Sequence, residues 1–186
     1  RLAFYKKAMG PEPYPGIRAY SPPDRNGDGK KDWQDLAVQK EEILRVEDTN
    51  GDGKADESIL IDDDLGTPLT GIAAGVLWAE GAAYATVEPD VWKYEDFDQE
   101  GKPAKRTLLS RGYSIHIGQG GHNVSGLTMG PDGRIYWSVA DKGINATGKN
   151  GERFVYPDRG GIMRCEPDGS NLELFALGVR NGQEPV

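Results

Sequence analysis

The sequence has little of several features that would reveal its class directly. It contains one cysteine among 186 residues, so no disulfide can form within the chain, and it lacks the Cys-x-x-Cys-His motif of covalent haem attachment. It also lacks any run of 18 apolar residues, so we expect neither a spanning helix nor a signal peptide. Cys165 ends a short apolar run and is expected to be a small buried side chain.

Basic residues are outnumbered by acidic residues, 22 to 30. The formal net charge is −8, and no cluster of lysine and arginine exists to bind phosphates, which excludes nucleic acid as a partner. Only 37% of residues are hydrophobic, whereas glycine (26) and proline (12) are abundant between short apolar runs. This composition predicts an all-β chain with many turns.

An internal repeat organises the sequence. Residues 43–54 return as residues 91–102, and the stretches 70–73 and 83–87 are echoed at 125–128 and 135–139. Such periods are typical of the four-stranded blades of β-propellers. The predicted strands are an outer pair at 43–47 and 57–61, one blade at 71–75, 83–87, 91–95 and 106–110, and a second at 125–129, 134–139, 161–166 and 171–176.

The predicted fold is therefore a partial β-propeller over residues 43–186, with about two and a half four-stranded antiparallel blades. Because that number cannot close a ring, we expect it to be incomplete in this chain. Residues 1–42 are expected to be an extended proline-rich loop region with a short helix at 32–42. Residues 142–160 are expected to form a long loop inserted between two strands of the second blade, which would line a substrate entrance or cover a neighbouring blade.

Two segments have the spacing of calcium-binding loops, with alternating oxygen ligands and a glycine at position 6. The ligands of the first would be Asp48, Asn50, Asp52, Lys54 (through its carbonyl) and Asp56. Those of the second would be Asp24, Asn26, Asp28, Lys30 (through its carbonyl), Asp32 and Asp35. The alternative is a pair of acidic turns that bind nothing. A third copy, from Asp96, has Ala104 at position 9 and is expected to be empty.

One histidine stands beside a predicted hairpin. Strands 126–129 and 135–139 are joined by a turn containing Asp132-Gly133, a strong hairpin signal. Because a hairpin folds back on itself, His122 before its first strand and Asp141 after its second should lie side by side. A histidine held by a carboxylate has the arrangement of a general base. Taken alone, a histidine in a glycine-rich turn is more often structural.

These motifs, together with Gly178-Val179-Arg180-Asn181-Gly182-Gln183, carry a family resemblance. Residues 43–186 resemble the quinoprotein glucose/sorbosone dehydrogenases, six-bladed propellers that carry pyrroloquinoline quinone (PQQ) and calcium. More closely, they resemble the planctomycete and bacteroidete "membrane-bound dehydrogenase" branch, often fused to a cytochrome c domain. Two positions depart from the pattern: Ala140 replaces a glycine and Gly182 replaces a proline.

The resemblance implies an oxidoreductase that oxidises a sugar or related alcohol or aldehyde by hydride transfer to PQQ. His122 would be the general base, Asp141 would orient it, and Arg180 would face the quinone and substrate oxygens. It also implies a periplasmic or secreted location and a cytochrome c electron acceptor. The remainder of the propeller, in the same gene product or another chain, would carry the family's other cofactor ligands. The alternative is a non-catalytic, calcium-stabilised propeller that binds a glycan or an electron-transfer partner.

Overall fold

The computed structural model describes residues 3, 6–7, 23–38, 40–114 and 121–185, and in this part of the chain twelve β strands dominate. The strands are β1 (Ile43–Glu47), β2 (Glu57–Asp62), β3 (Ala73–Ala79), β4 (Ala82–Val87), β5 (Asp90–Phe97), β6 (Pro103–Arg111), β7 (Val124–Met129), β8 (Ile135–Val139), β9 (Ile144–Thr147), β10 (Arg153–Tyr156), β11 (Gly161–Cys165) and β12 (Glu173–Leu177). The all-β prediction is confirmed. No helix within these ranges is long and apolar enough to cross a membrane.

The strands form antiparallel sheets, none of which closes on itself among the described residues. One four-stranded sheet has the order β3-β4-β5-β6, and the other has the order β7-β8-β11-β12. Two-stranded sheets are formed by β1 with β2 and by β9 with β10. The predicted outer pair and both predicted sets of four strands are therefore present, with ends that shift by a few residues.

Turn chemistry explains the two-residue connection between β3 and β4. β3 and β4 are joined through Glu80 and Gly81, which both adopt positive φ angles of 52° and 76°. Two positive φ values define the hairpin turn whose twist matches that of the flanking strands. This two-residue turn reverses the chain, so Ala79 pairs directly with Ala82.

Two sequence predictions need correction. The insertion at 142–160 is not an irregular loop, because it folds into the β9–β10 hairpin. The helix predicted at 32–42 is only a five-residue 3₁₀ helix, Trp33–Ala37, which Asp32 caps by accepting a hydrogen bond from the Gln34 amide. Residues 1–2, 4–5, 8–22 and 39 of the predicted proline-rich loop region lie outside the described residues.

Apolar side chains are buried on both faces of the first four-stranded sheet. On β4, Ala85 and Val87 pack towards the β1–β2 hairpin, whereas Tyr84 packs towards the second four-stranded sheet. Alternation along a strand places these side chains on opposite faces. The hairpin and the two sheets are therefore layered in chain order.

The first strands of the two four-stranded sheets approach closely. A Cβ on Gly75 of β3 would lie 2.9 Å from the Gly126 nitrogen of β7. A Cβ on Gly126 would in turn lie 2.7 Å from the Gln183 carbonyl oxygen. β7 is thus held between β3 and the segment that follows β12, and only glycine leaves room for backbones this close.

Candidate functional site

Hairpin register brings the predicted histidine and aspartate together. Val124 pairs with Val139, so His122 and Asp141 each lie two residues beyond the last pair of the β7–β8 ladder. The His122 Nδ1 lies 2.6 Å from the Asp141 Oδ1. The side chain of His122 is only 12% exposed, and that of Asp141 is 31% exposed. The prediction that these two side chains meet is confirmed.

Backbone contacts hold this pair in place. The Ala140 amide donates to the Asn123 carbonyl (3.1 Å), which extends the ladder beyond the strands. The Ser114 hydroxyl donates to the His122 carbonyl at 3.1 Å. Ser114 follows β6 in the neighbouring sheet, so sequence reasoning did not find it: nothing in the local pattern reports a contact between two sheets.

Arg180 also lies beside Asp141. The Asp141 amide donates to the Arg180 carbonyl at 2.9 Å, and the Arg180 Nε is 3.9 Å from the Asp141 Oδ2. The Arg180 side chain is 78% exposed. The carboxylate therefore stands between an imidazole and a guanidinium, and the structure brings together all three residues that the resemblance singled out.

The charge state of Asp141 follows from these contacts. The hydrogen bond from His122 lowers the pKa of Asp141 below its ordinary value; partial burial opposes this, and the positive charges of Lys142 and Arg180 add to the lowering. Asp141 is therefore ionised at neutral pH and accepts a hydrogen bond from Nδ1–H of the imidazole. That contact leaves Nε2 as the ring nitrogen that can take up a proton.

A small cleft adjoins this group. It has a volume of about 230 Å³, and Ser114, Lys142 and Val155 are among its lining residues. The β9–β10 hairpin forms much of its wall and docks on the end of β6, where the Asn145 amide donates to the Gly112 carbonyl at 2.8 Å. Ile144 and Ala146 are buried in the core between the sheets. The insertion therefore covers the neighbouring sheet, and Lys142 is a nearby cation that sequence reasoning missed.

The two predicted calcium loops have the same backbone hydrogen-bond pattern. In the first, the Asp48 carboxylate accepts from the amides of Gly51 and Gly53, both at 2.7 Å. In the second, the Asp24 carboxylate accepts from the amides of Gly27 (2.8 Å) and Gly29 (2.9 Å). Asn50 and Asp52, like Asn26 and Asp28, each accept from the amide two residues later. The shared spacing thus produces a shared loop conformation.

The later acids of these loops bind protein groups. Asp56 accepts from the Thr49 hydroxyl and the Asn50 side-chain amide, at 2.7 and 2.6 Å. Asp35 is 1% exposed and accepts from the amides of Arg25 and Asp32, each at 2.8 Å. Nowhere in the described ranges do three His, Cys, Asp or Glu side chains converge closely enough to hold a metal ion. Calcium binding at both loops stays a prediction.

Comparison with known proteins gives a family but no activity. A family described as "Domain of unknown function (DUF7133)" matches residues 17–183, and the chain belongs to this family. No curated protein matches the chain. No solved structure matches it either.

Proposed function

We propose that this DUF7133 member is part of a quinoprotein oxidoreductase that oxidises a sugar or a related alcohol or aldehyde. The observation that carries the proposal is the 2.6 Å contact between His122 and Asp141, with the guanidinium of Arg180 3.9 Å from the same carboxylate. A carboxylate-held imidazole next to a cation suits removal of a hydroxyl proton.

The proposed architecture is a partial β-propeller, part of a six-bladed ring. Two four-stranded antiparallel sheets, layered in chain order, support it. Residues 183–185 give further support, because they contact Gly126 of β7 much as β7 contacts Gly75 of β3. They would begin the inner strand of the next blade.

In the proposed reaction, Nε2 of His122 accepts the hydroxyl proton of the substrate as its carbon–hydrogen bond breaks. The positive charge that then develops on the imidazole is stabilised by the ionised Asp141 next to Nδ1. Arg180, whose side chain is largely exposed, supplies a cation to developing negative charge on oxygen. PQQ, when bound, supplies the acceptor for the hydride.

The residues present fit this cofactor in part. Arg180 would hold an anionic or quinone oxygen, and the buried Asn123 Oδ1, which has no hydrogen-bond partner in the described structure, offers an acceptor next to His122. The described residues form no ligand set for a cofactor calcium. The proposal assigns the calcium ligands, a cytochrome c electron acceptor and the remainder of the propeller to the same gene product or another chain, in a periplasmic or secreted protein.

Substitution of the proposed base tests this function. With PQQ and calcium added, the intact protein is assayed on a panel of sugars and alcohols with an artificial electron acceptor. His122→Gln should lower turnover by about 10²–10⁴-fold, the usual contribution of a general base, while PQQ binding persists. The matched control, Lys149→Gln in the exposed β9–β10 turn, should keep full turnover. Undiminished turnover in the His122→Gln protein would contradict the proposal.

The alternative is a calcium-stabilised propeller that binds a glycan or an electron-transfer partner without catalysis. The matching hydrogen-bond patterns of the Asp24 and Asp48 loops support it, because both segments form compact turns of the kind that a calcium-binding loop needs. Calcium-dependent glycan binding by a wild-type protein that oxidises none of the panel would support this alternative over the oxidoreductase.

A further inference from the structure

An apolar cleft opens between the β1–β2 hairpin and the first four-stranded sheet. Its volume is about 600 Å³, and β1 and β3 supply much of its wall. Leu44 and Val46 of β1 are 49% and 62% exposed there, and Val76 and Trp78 of β3 are 70% and 62% exposed. Contiguous large apolar side chains left in water mark a contact surface.

The internal repeat shows what covers the equivalent residues elsewhere in the chain. Because residues 43–54 match residues 91–102, β1 corresponds to β5 and Val46 corresponds to Tyr94. Tyr94 is 1% exposed, and β4 pairs with its strand through Ala83. In the described structure β1 pairs with β2 alone. β5 is followed across its sheet by β4 and then β3, whereas the equivalent edge of β1 has no strand beside it among the described residues.

We infer that this cleft binds a two-stranded antiparallel β-hairpin that continues the sheet from the open edge of β1. The strand of this hairpin that pairs with β1 takes the position that β4 has beside β5, and its other strand takes the position of β3. The apolar face of the hairpin covers Val76 and Trp78. Backbone hydrogen bonds to the edge supply affinity, and alternate side chains in the cleft supply specificity. The inference rests on the propeller architecture proposed above and is independent of the catalytic role of His122.

The occupant comes from outside residues 1–186. Prolines at positions 11, 13, 15 and 22 lack the amide hydrogens that strand pairing needs. The ten residues before Pro11 are too few, since two strands of the five-residue length of β1 and a two-residue turn need about twelve. The chain's own hairpin of this type, β3–β4, is already paired within its sheet. The occupant is thus a separate hairpin that, like residues 73–87, is rich in small residues and has one aromatic residue in each strand.

A fused copy of that hairpin tests the inference. Residues 73–87 are duplicated and attached to the N-terminus of the full chain through a flexible Gly/Ser linker of about 20 residues, which spans roughly 25 Å and gives a millimolar effective concentration. The reporter is the rate of thiol labelling of Val46→Cys; the native Cys165 is fully buried. The fused hairpin should slow labelling by at least about tenfold.

Two controls separate docking from other effects. Val155→Cys, on β10 and 53% exposed in the native chain, should label at the same rate with and without the fused hairpin. A fusion with a scrambled 73–87 sequence should leave Val46→Cys as reactive as in the unfused chain.

Unchanged labelling with the native hairpin, or equal protection by the scrambled one, overturns the inference. Protection of unfused Val46→Cys that rises with protein concentration would instead identify a second copy as the occupant and also overturn it. None of these rates depends on enzymatic activity, so failure here and failure of the proposed function are distinguishable.

Discussion

The hydroxyl of Tyr94 on β5 donates a 2.7 Å hydrogen bond to the buried carboxylate of Asp62 at the end of β2, and this bond joins two different sheets. The same carboxylate is 3.1 Å from Nε of Arg106, whose guanidinium lies over the Trp92 ring at 4.0 Å. A carboxylate with so little exposure is tolerated because both a hydroxyl and a cation contact it. Burial, with the hydrogen bond to Asp62 adding to it, raises the pKa of Tyr94 above its ordinary value, so this phenol stays a donor.

Loss of that hydroxyl should weaken the docking of the hairpin on the sheet. Tyr94→Phe is expected to lower the free energy of unfolding by about 1.5–3 kcal/mol, the usual net value of a hydrogen bond to a charged group. In an Asp62→Asn background the same substitution should cost measurably less, because the charged acceptor is already gone. Urea unfolding of the four proteins of this cycle measures the coupling. Equal costs in the two backgrounds would show that the two side chains do not interact energetically.

The His122–Asp141 pair should give a specific dependence of stability on pH. The hydrogen bond from His122 lowers the folded-state pKa of Asp141 below 3.8, so its contribution is present above that value and is lost as pH falls through the folded-state pKa. The stability difference between wild type and Asp141→Asn should therefore be present near pH 5 and shrink below about pH 4. Denaturant titrations at several pH values measure it. A difference that widens on acidification would contradict this assignment.

Features that depend on neighbouring residues in the sequence, such as strands and hairpins, were mostly predicted correctly. The strands of both large sheets follow from alternation and the repeat, and the contact of His122 with Asp141 follows from hairpin register. The β9–β10 hairpin was missed, although Asn150-Gly151 between two short apolar runs is a hairpin signal. The Ser114 contact with His122 depends on how two sheets pack, and no local pattern encodes that.

The calcium loops show a different limit. Residue spacing predicted a tightly coiled turn, and the Asp48 carboxylate does accept from the Gly51 and Gly53 amides. Spacing does not determine whether Asp56 turns inwards towards an ion or contacts Thr49, as it does here. The direction of a short side chain depends on which partners compete for its oxygens, and a one-dimensional pattern contains no such information.

Calcium should stabilise the chain if the Asp48 loop binds it. For a weak site with a Kd of about 10⁻³ M, 10 mM calcium should raise Tm by roughly 3–6 °C. Asp48→Ala should remove much of that shift, whereas Asp98→Ala, in the third copy of the pattern, should preserve it. Thermal unfolding with calcium, magnesium or chelator measures these shifts. A full shift in Asp48→Ala, or an equal shift with magnesium, would exclude specific binding at this loop.

The single thiol should be inert in the native protein. Cys165 is fully buried on β11, and this burial, reinforced by the nearby carboxylates of Asp168 and Glu166, raises its pKa to about 12. Because the thiolate is the reactive form, a chromogenic disulfide reagent at pH 8 should label almost no thiol in the folded chain and one thiol per chain in denaturant. Rapid labelling without denaturant would mean that the core between the two large sheets opens readily.

Gly126 of β7 should tolerate a side chain far less well than Gly133 in the β7–β8 turn. Gly126 has a φ of 59°, and a Cβ there would lie 2.5 Å from Pro185 Cδ and 2.7 Å from the Gln183 carbonyl oxygen. Gly133 has a φ of 77°, but a Cβ there would meet no atom within 4 Å, so its replacement isolates the backbone strain of about 1–2 kcal/mol. Gly126→Ala should therefore cost at least about twice as much stability as Gly133→Ala, since close contacts add to strain.

The Gly126→Ala substitution should also release residues 183–185 from β7, which hydrogen exchange and limited proteolysis at the C-terminal segment would detect. Similar losses of stability in the two variants, with unchanged protection of residues 183–185, would show that this segment does not pack against β7 in solution.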